Sequence, residues 1–326
     1  MKKTEVTLGI DIGGTNTKFG VVDRQGNCLS EGTMLTKANE DISLFLPRLY
    51  SNVEQSLAEI KNSIEIKGVG IGVPNGNFYE GTVEYPANLT GWKAITPLAE
   101  LVRKNYQLPT ALTNDANAAA IGEMKFGAAQ NMKNFIVITL GTGLGSGIVV
   151  NGELVYGADG FAGELGHVII EKNGRLGAFG RRGILESYAS ATGIKRTVYE
   201  LLADMTEDSE LRSISYNDLS ANMISEAALR GDKIAIAAFE YTGKILGEQL
   251  ANTVAHLSPE AIILFGGLTH AGNYLFEPTK RHMELNNVPI FRNKVKIIPS
   301  GLLDKNVAVL GASALIWNEI DKVIAK

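Results

Sequence analysis

Leu8–Val22, LGIDIGGTNTKFGVV, and Leu140–Val150, LGTGLGSGIVV, share one plan. In each, an apolar strand runs into a turn of glycine and threonine. A second strand then ends in Val-Val before a short polar turn, Gln25-Gly26-Asn27 in the first copy and Asn151-Gly152 in the second. Glycine lets the backbone reverse tightly and approach a ligand, and the N–H groups left free in such a turn are phosphate donors. One Gly-Gly-Thr hairpin alone is more often only a tight turn. Two in matching positions suit a polyphosphate gripped from both sides. The repeat is one of topology rather than identity, and it predicts two related α/β lobes, each offering a glycine hairpin to a shared cleft. The first turn is not the G-x-x-x-x-G-K-[ST] loop, because no glycine has that spacing from a Gly-Lys pair. Asp11 closes its leading strand, and Lys18 adds a cation.

Length agrees with two lobes, since a chain of 326 residues exceeds the ~250–300 at which single cores stop growing. A net charge of −4 offers no polyanion-binding surface, so nucleic acid is not an expected partner. The start, MKKTEVTLGIDIGG, runs directly into a strand pattern with no signal-peptide block. No segment approaches the ~18 apolar residues of a membrane span. The single cysteine, Cys28, has no intrachain partner, and no cysteine cluster exists for structural zinc. A cytoplasmic protein that contacts no membrane is expected.

Around the two hairpins, helical spacing covers Ile42 to Asn62, a buried strand runs through IKGVGIGVP to Pro74, and Thr96-Pro97 opens a helix as cap and first residue. TALTNDANAAAIGEMKFG passes from a short strand into an alanine-rich helix. Beyond Leu185 the pattern is mostly helical, broken by the strands AIILFGG and KVKIIPSGL and closed by a final helix. We place the first lobe at 1–117, completed by the closing helix 307–326, and the second at 118–306.

Three groups carry chemistry. Phe265-Gly266-Gly267 ends a strand in bare backbone, where an adenosine could lie; by itself it is a strand terminus. Asp115 sits at a strand-to-helix junction, either as a cap or as a base taking a proton from an attacking hydroxyl; Asn114 or Asp115 can cap while the other faces the ligand. Glu164, His167 and Glu186, taken with Asn88, Asn114 and Asp115, combine carboxylates, amides and an imidazole, a set suited to a sugar.

At this point the chain resembles the ROK family of sugar kinases and repressors. DIGGTNTK, NLTGW, NDANAAAIGE, LGTGLGSGIVVNG, GELGH, GILESYASATGI and LFGG occur in that family's order and spacing, from Leu8 to Gly267. The resemblance implies an α/β, two-lobed actin-like ATPase (ribonuclease H-like) fold with a cleft between the lobes. It implies ATP phosphates held by Gly13, Gly14, Thr15 and Lys18 and faced by Thr142 and Gly143. Asp11 would hold Mg²⁺ through water, and Gly266-Gly267 would border the adenosine. The family's sugar contacts fall on Gly76, Asn88, Asn114, Asp115, Glu164, His167 and Glu186, with Asp115 as the base that activates a primary hydroxyl. Asn75 departs from the pattern, since the family usually reads glycine directly after the proline of this loop. ESYASATGI looks most like the glucokinase members, so glucose is the first expectation. An N-acetylhexosamine, mannose or fructose is the alternative, and a non-catalytic sugar-sensing regulator is the rival class. Repressors of the family carry a helix-turn-helix before the first hairpin, whereas here the first strand begins near Thr4. A homodimer is the family's common assembly.

One segment departs from the pattern more deeply. Many members carry C-x-C-G-x-x-G-C between GELGH and LE, and those cysteines hold a structural Zn²⁺ together with the histidine. The matching positions here are Gly177, Phe179 and Ile184, and a lone His167 makes no tetrahedral site. No structural zinc is expected. Burial of Phe179 and Ile184 is expected to substitute packing for coordination, and Arg175, Arg181 and Arg182 read as solvated charges.

Overall fold

The computed structural model describes residues 3–302 and 306–324. Packing divides the chain into two units, Met1–Asn131 with Leu154–Ala162 and Gly301–Lys326, and Met132–Glu153 with Gly163–Ser300. The first crossing falls at 131/132, where the sequence reading places it at 117/118. The helix that follows Asp115 stays with the first unit, and the excursion 154–162 carries no local signal.

The first unit is built on the strands β1 (Thr4–Ile12), β2 (Asn16–Asp23), β3 (Cys28–Leu35), β4 (Ile64–Gly72) and β8 (Thr110–Thr113), in the order β3-β2-β1-β4-β8. β1, β2 and β3 form the antiparallel meander, and β4 and β8 add in parallel. Side chains alternate across a strand. Val6, Leu8, Ile10 and Ile12 therefore join the core formed with Phe45, Leu49 and Val53 of α1 (Ile42–Leu57) and with Val102 of α2 (Leu98–Tyr106). The opposite face carries Thr7, Gly9 and Asp11. There α8 (Val307–Ile324) packs so closely that a Cβ on Gly9 would fall 2.3 Å from the Val309 carbonyl oxygen. α3 (Asp115–Phe126) packs beside α8 on that face. A small sheet of β5 (Gly76–Asn77), β6 (Thr82–Glu84) and β7 (Ile95–Thr96) follows β4. Thr96 does not cap α2; its hydroxyl donates to the Lys93 carbonyl and Pro97 stands at the cap, leaving a side-chain cap unmade.

A second sheet repeats the plan with β9 (Phe135–Leu140), β10 (Leu144–Val150), β11 (Glu153–Leu154, at the boundary of the second unit), β12 (Ala261–Phe265) and β13 (Lys296–Pro299), in the order β11-β10-β9-β12-β13. β9 and β10 are antiparallel, while β12 and β13 are parallel additions, as β4 and β8 are in the first sheet. Helices α4 (Ala191–Asp204), α5 (Ala221–Leu229), α6 (Lys233–Leu257) and α7 (Asn273–Asn286) complete the second unit, with α6 packed along α7 and α4. Gly243 and Gly247 make the α6–α7 approach possible: a Cβ on Gly247 would lie 2.4 Å from the Thr279 carbonyl oxygen. Among the described residues no helix is long and apolar enough to cross a membrane.

Candidate functional site

Each glycine turn leaves backbone donors free. In the first, Gly13 N–H closes on the Asn16 carbonyl at 3.0 Å, and the Gly13 carbonyl accepts from the Thr36 hydroxyl at 2.7 Å. The N–H groups of Gly14 and Thr15 donate to no described residue. In the second, Gly141 N–H closes on the Gly143 carbonyl at 3.0 Å. The start of α4 holds this turn: Ala191 N–H donates to the Gly141 carbonyl, and the Thr192 hydroxyl to that of Thr142. Thr142 and Gly143 N–H are left without an acceptor among the described residues. Both turns thus have the donor chemistry of an anion cradle.

Carboxylates gather at the first turn. Asp11 pairs in register with Lys18 across the hairpin and with Gly72 on β4. The point where a Cβ on Gly72 would stand is 3.4 Å from Asp11 Oδ1 and 3.8 Å from Asp115 Cα, so a glycine there leaves open the space between the two acids. Lost hydration is the main cause that lifts the Asp11 carboxyl to about 7; the Asp115 charge adds to it and Lys18 opposes it. Lost hydration also raises Asp115, partly offset by the backbone N–H of Ala116. Asp115 is exposed as a residue, yet protein makes up most of the medium around its carboxyl. Asn114 is the α3 cap, accepting Ala116 N–H at 2.8 Å, which resolves the choice between capping residues. Asp115 Oδ1 shares that donor.

Asn88 and Gly76 border the same place. A Cβ on Gly14 would lie 3.1 Å from Asn88 Cβ, which sets this exposed asparagine against the first glycine turn. Gly76 is buried on the carbonyl of Thr113, the residue before Asn114, 2.7 Å from where its Cβ would be. Asn75 turns with φ 56°, a left-handed conformation asparagine tolerates, and its amide donates to the Glu84 and Tyr85 carbonyls.

In the second unit, Glu164, His167 and Glu186 come together through backbone pairing. Gly163 at φ 94° opens the turn, and Leu165 N–H and the Gly163 carbonyl both bond the Ser146 hydroxyl of β10. Gly166 lies on Leu144, where a Cβ would fall 2.3 Å from the carbonyl oxygen. Leu185 N–H then donates to the Val168 carbonyl at 2.9 Å, bringing the Glu186 turn beside His167. Glu186 Oε2 accepts Leu144 N–H at 2.9 Å, so the carboxylate rests against the second glycine turn. His167 Nε2 is 4.0 Å from Glu164 Oε2, while Nδ1 is buried with no hydrogen-bond partner among the described residues. Gly266, at φ 111°, stacks its backbone on Leu140, with Gly267 next along the chain.

Two expectations for the loop 171–184 are corrected. Ile184 is fully buried, but Phe179 is 68% exposed in a left-handed turn, with its ring 5.7 Å from the His167 ring. Arg175 is no solvated charge: its side chain is 10% exposed and hydrogen-bonded throughout. Its partners lie up to 25 residues away, so no local pattern marks it.

A cavity of about 700 Å³ lies elsewhere in the first unit, walled by Phe78, Tyr79, Leu112, Ile316 and Ile320. It contains none of the candidate site residues, and on its rim Glu5 is ion-paired with Arg24 and Lys67.

The glucokinase of Halalkalibacterium halodurans is 33% identical over 285 residues, 86% of each chain. The crystal structure of a ROK family glucokinase from Streptomyces griseus in complex with glucose and AMPPNP superposes with a TM-score of 0.80 at 30% identity, covering 95% of this chain and 98% of that one. The xylose repressor of Caldicellulosiruptor bescii is 29% identical over 96% of this chain and 78% of its own. The two α/β units are those of the actin-like ATPase fold. The model of the ROK family matches residues 7–319, nearly the whole span that carries both glycine turns, and the chain belongs to that family.

Proposed function

We propose that this protein transfers the γ-phosphoryl group of ATP to the 6-hydroxyl of glucose. It is an ATP-dependent sugar kinase; the choice of glucose rests on the glucokinase relatives and on the ESYASATGI segment. The observation that carries the reading is the pairing of Asp11 and Asp115, both with raised carboxyls, across the gap left by Gly72 beside a turn with free N–H donors. In the proposed reaction Asp115 accepts the hydroxyl proton as the sugar oxygen bonds to the γ-phosphorus. The bond from that phosphorus to the bridging oxygen breaks and ADP leaves. Free amides of Gly14, Thr15, Thr142 and Gly143 stabilise charge on the phosphate oxygens, helped by Lys18 and Thr15. Gly266-Gly267 border the adenosine. Asn88, Asn114, Glu164, His167 and Glu186 bond the remaining hydroxyls, with Gly76 shaping the floor.

Two carboxylates whose ionisation is opposed by burial, and for Asp11 also by the Asp115 charge, are suited to a cation. Mg²⁺ entering with ATP would be held through water by Asp11, where it supplies positive charge to the phosphates. Zinc does not fit: His167 Nδ1 is free, but Gly177, Phe179 and Ile184 have no donors to accompany it. A homodimer is the proposed assembly, tested by sedimentation. Likeness to the xylose repressor supports a second reading, a sugar-responsive regulator with no turnover. ADP release measured over a panel of hexoses separates the two. Turnover should be greatest with glucose, with phosphate on the 6-oxygen by phosphorus NMR; absence of turnover with every hexose leaves only the regulator.

A further inference from the structure

The loop between His167 and Glu186 has a buried, unpartnered ring nitrogen and no ligands to join it. Among the described residues no group of three or more His, Cys, Asp or Glu side chains could hold a metal. Packing has closed over one of the positions that bear thiolates in relatives: a Cβ on Gly177 would fall 2.5 Å from Ser187 Oγ and 2.7 Å from Ile184 Cδ1. Something other than a metal must fix this loop to the turn that carries Glu186.

Arg175 has the geometry for it. A guanidinium offers five N–H donors in a rigid fork, and here each has an acceptor. Nε donates to Glu200 Oε1 at 3.1 Å, and Nη2 to Glu200 Oε2 and to Thr197 Oγ1. Nη1 donates to the carbonyls of Ser187 and Gly193, each at 3.2 Å. The planar group lies over the Tyr188 ring, 4.6 Å from its centroid. The backbone takes part as well: Arg175 N–H donates to the Tyr188 hydroxyl at 2.9 Å, and Gly183 N–H donates to the Arg175 carbonyl at 2.8 Å. One residue in the middle of the loop is thereby tied to its far end at Gly183, to the turn at Ser187 and Tyr188, and to α4.

We propose that Arg175, backed by Glu200, is a positioning residue that fixes Glu186 and His167 for sugar binding, the task a structural zinc has in family members with the cysteines. The connection to each is short. Ser187, held by Nη1, follows Glu186, whose carboxylate rests on Leu144 N–H. Leu185, in the same turn, holds the carbonyl of Val168, which follows His167. Loss of the fork releases the turn and lets both side chains drift, and hexose affinity falls, while the β1–β2 turn is untouched and the β9–β10 turn keeps its own Gly141–Gly143 closure and strand pairing. Glu200 is more exposed than Arg175, at 57% against 10%, so the carboxylate serves to orient the arginine rather than to bury a charge pair.

The inference rests on the sugar-kinase reading and is tested with Arg175→Met, which keeps the apolar stem, Arg175→Lys, and Glu200→Gln. Arg175→Met is expected to raise the hexose KM about tenfold or more while the ATP KM stays within about twofold, with Arg175→Lys between it and the wild type. Equal loss of both substrates, or no change in either, overturns the positioning role. If Arg175→Met does not fold, Glu200→Gln carries the test: a hexose KM raised about threefold supports the role and an unchanged one overturns it. Chelator-treated wild type should keep its hexose KM, and a rise reversed by added zinc would refute the replacement of metal by arginine. Should the wild type phosphorylate no hexose, the kinase reading fails. The staple is then read by hydrogen exchange: faster exchange at Ile170, Gly183 and Leu185 in Arg175→Met, with β1–β2 unchanged, supports it, and unaltered protection overturns it.

Discussion

The two glycine turns are alike in backbone and unlike in side chains. Ile12 and Leu140 occupy the same place before the turn, so Asp11 corresponds to Thr139 and Lys18 to Gly145. In the first turn that pair is a carboxyl and an ammonium side chain; in the second, the Thr139 hydroxyl accepts Gly145 N–H at 3.2 Å and neither residue is ionisable. The parallel neighbour differs in the same sense: Gly72 leaves a gap beside Asp11, while Phe265 stands opposite Thr139. A duplicated backbone supplies anion donors twice, whereas the neighbouring carboxyls of Asp11 and Asp115 stand beside one copy only. The second copy instead lends its Leu144 N–H to Glu186, coupling its turn to the proposed sugar ligands.

That contrast can be broken by substitution. Asp11→Asn should lower kcat/KM on the order of a hundredfold, while Thr139→Ala, at the matching place, should change it less than about threefold; equal effects would erase the distinction. Gly72→Ala puts a methyl at ordinary contact distance from Asp11 Oδ1 and Ala118 Cβ. A loss of about tenfold in kcat with unchanged stability is expected, since the methyl narrows the gap between the acids without a clash. Gly266→Ala should act oppositely, on stability, because φ 111° and an approach of 2.5 Å to the Leu140 carbonyl oxygen forbid a side chain. A destabilisation of at least about 2 kcal/mol by denaturant titration is expected.

The smallest effect is one of pH. The Asp11 carboxyl lies at about 7 in the fold, well above its ordinary 3.8, so the folded protein holds the proton more tightly. Its favourable contribution is full below about pH 4 and is lost as pH rises to about 7, through the folded value. In the ligand-free protein Asp11→Asn should therefore raise Tm by a few degrees near pH 8, and the gain should shrink toward pH 4. A gain independent of pH would contradict the assigned cause.

Both hairpins and the strand-to-helix junction at Asn114-Asp115 were legible in the sequence because glycine spacing, strand alternation and capping are local signals. So was the likeness of the two sheets, which share one strand order. What stayed hidden depends on distant partners. Arg175 reads as a charge in a polar loop until Ser187, Gly193, Thr197 and Glu200 surround it. Phe179 reads as a packing residue, yet its left-handed backbone turns it outward. The return of 154–162 to the first unit rests on contacts such as that of the Asn77 amide with the Asp159 carbonyl, which no periodicity records.

The central claim is that one carboxylate, Asp115, performs the proton transfer while the glycine turns and sugar ligands only hold substrates. Its most direct test is to measure kcat and glucose affinity together for Asp115→Asn, a change that keeps size and polarity. The account predicts a fall in kcat on the order of a thousandfold with glucose Kd within about threefold of the wild type. A kcat within about tenfold of the wild type, with glucose still bound, would contradict it.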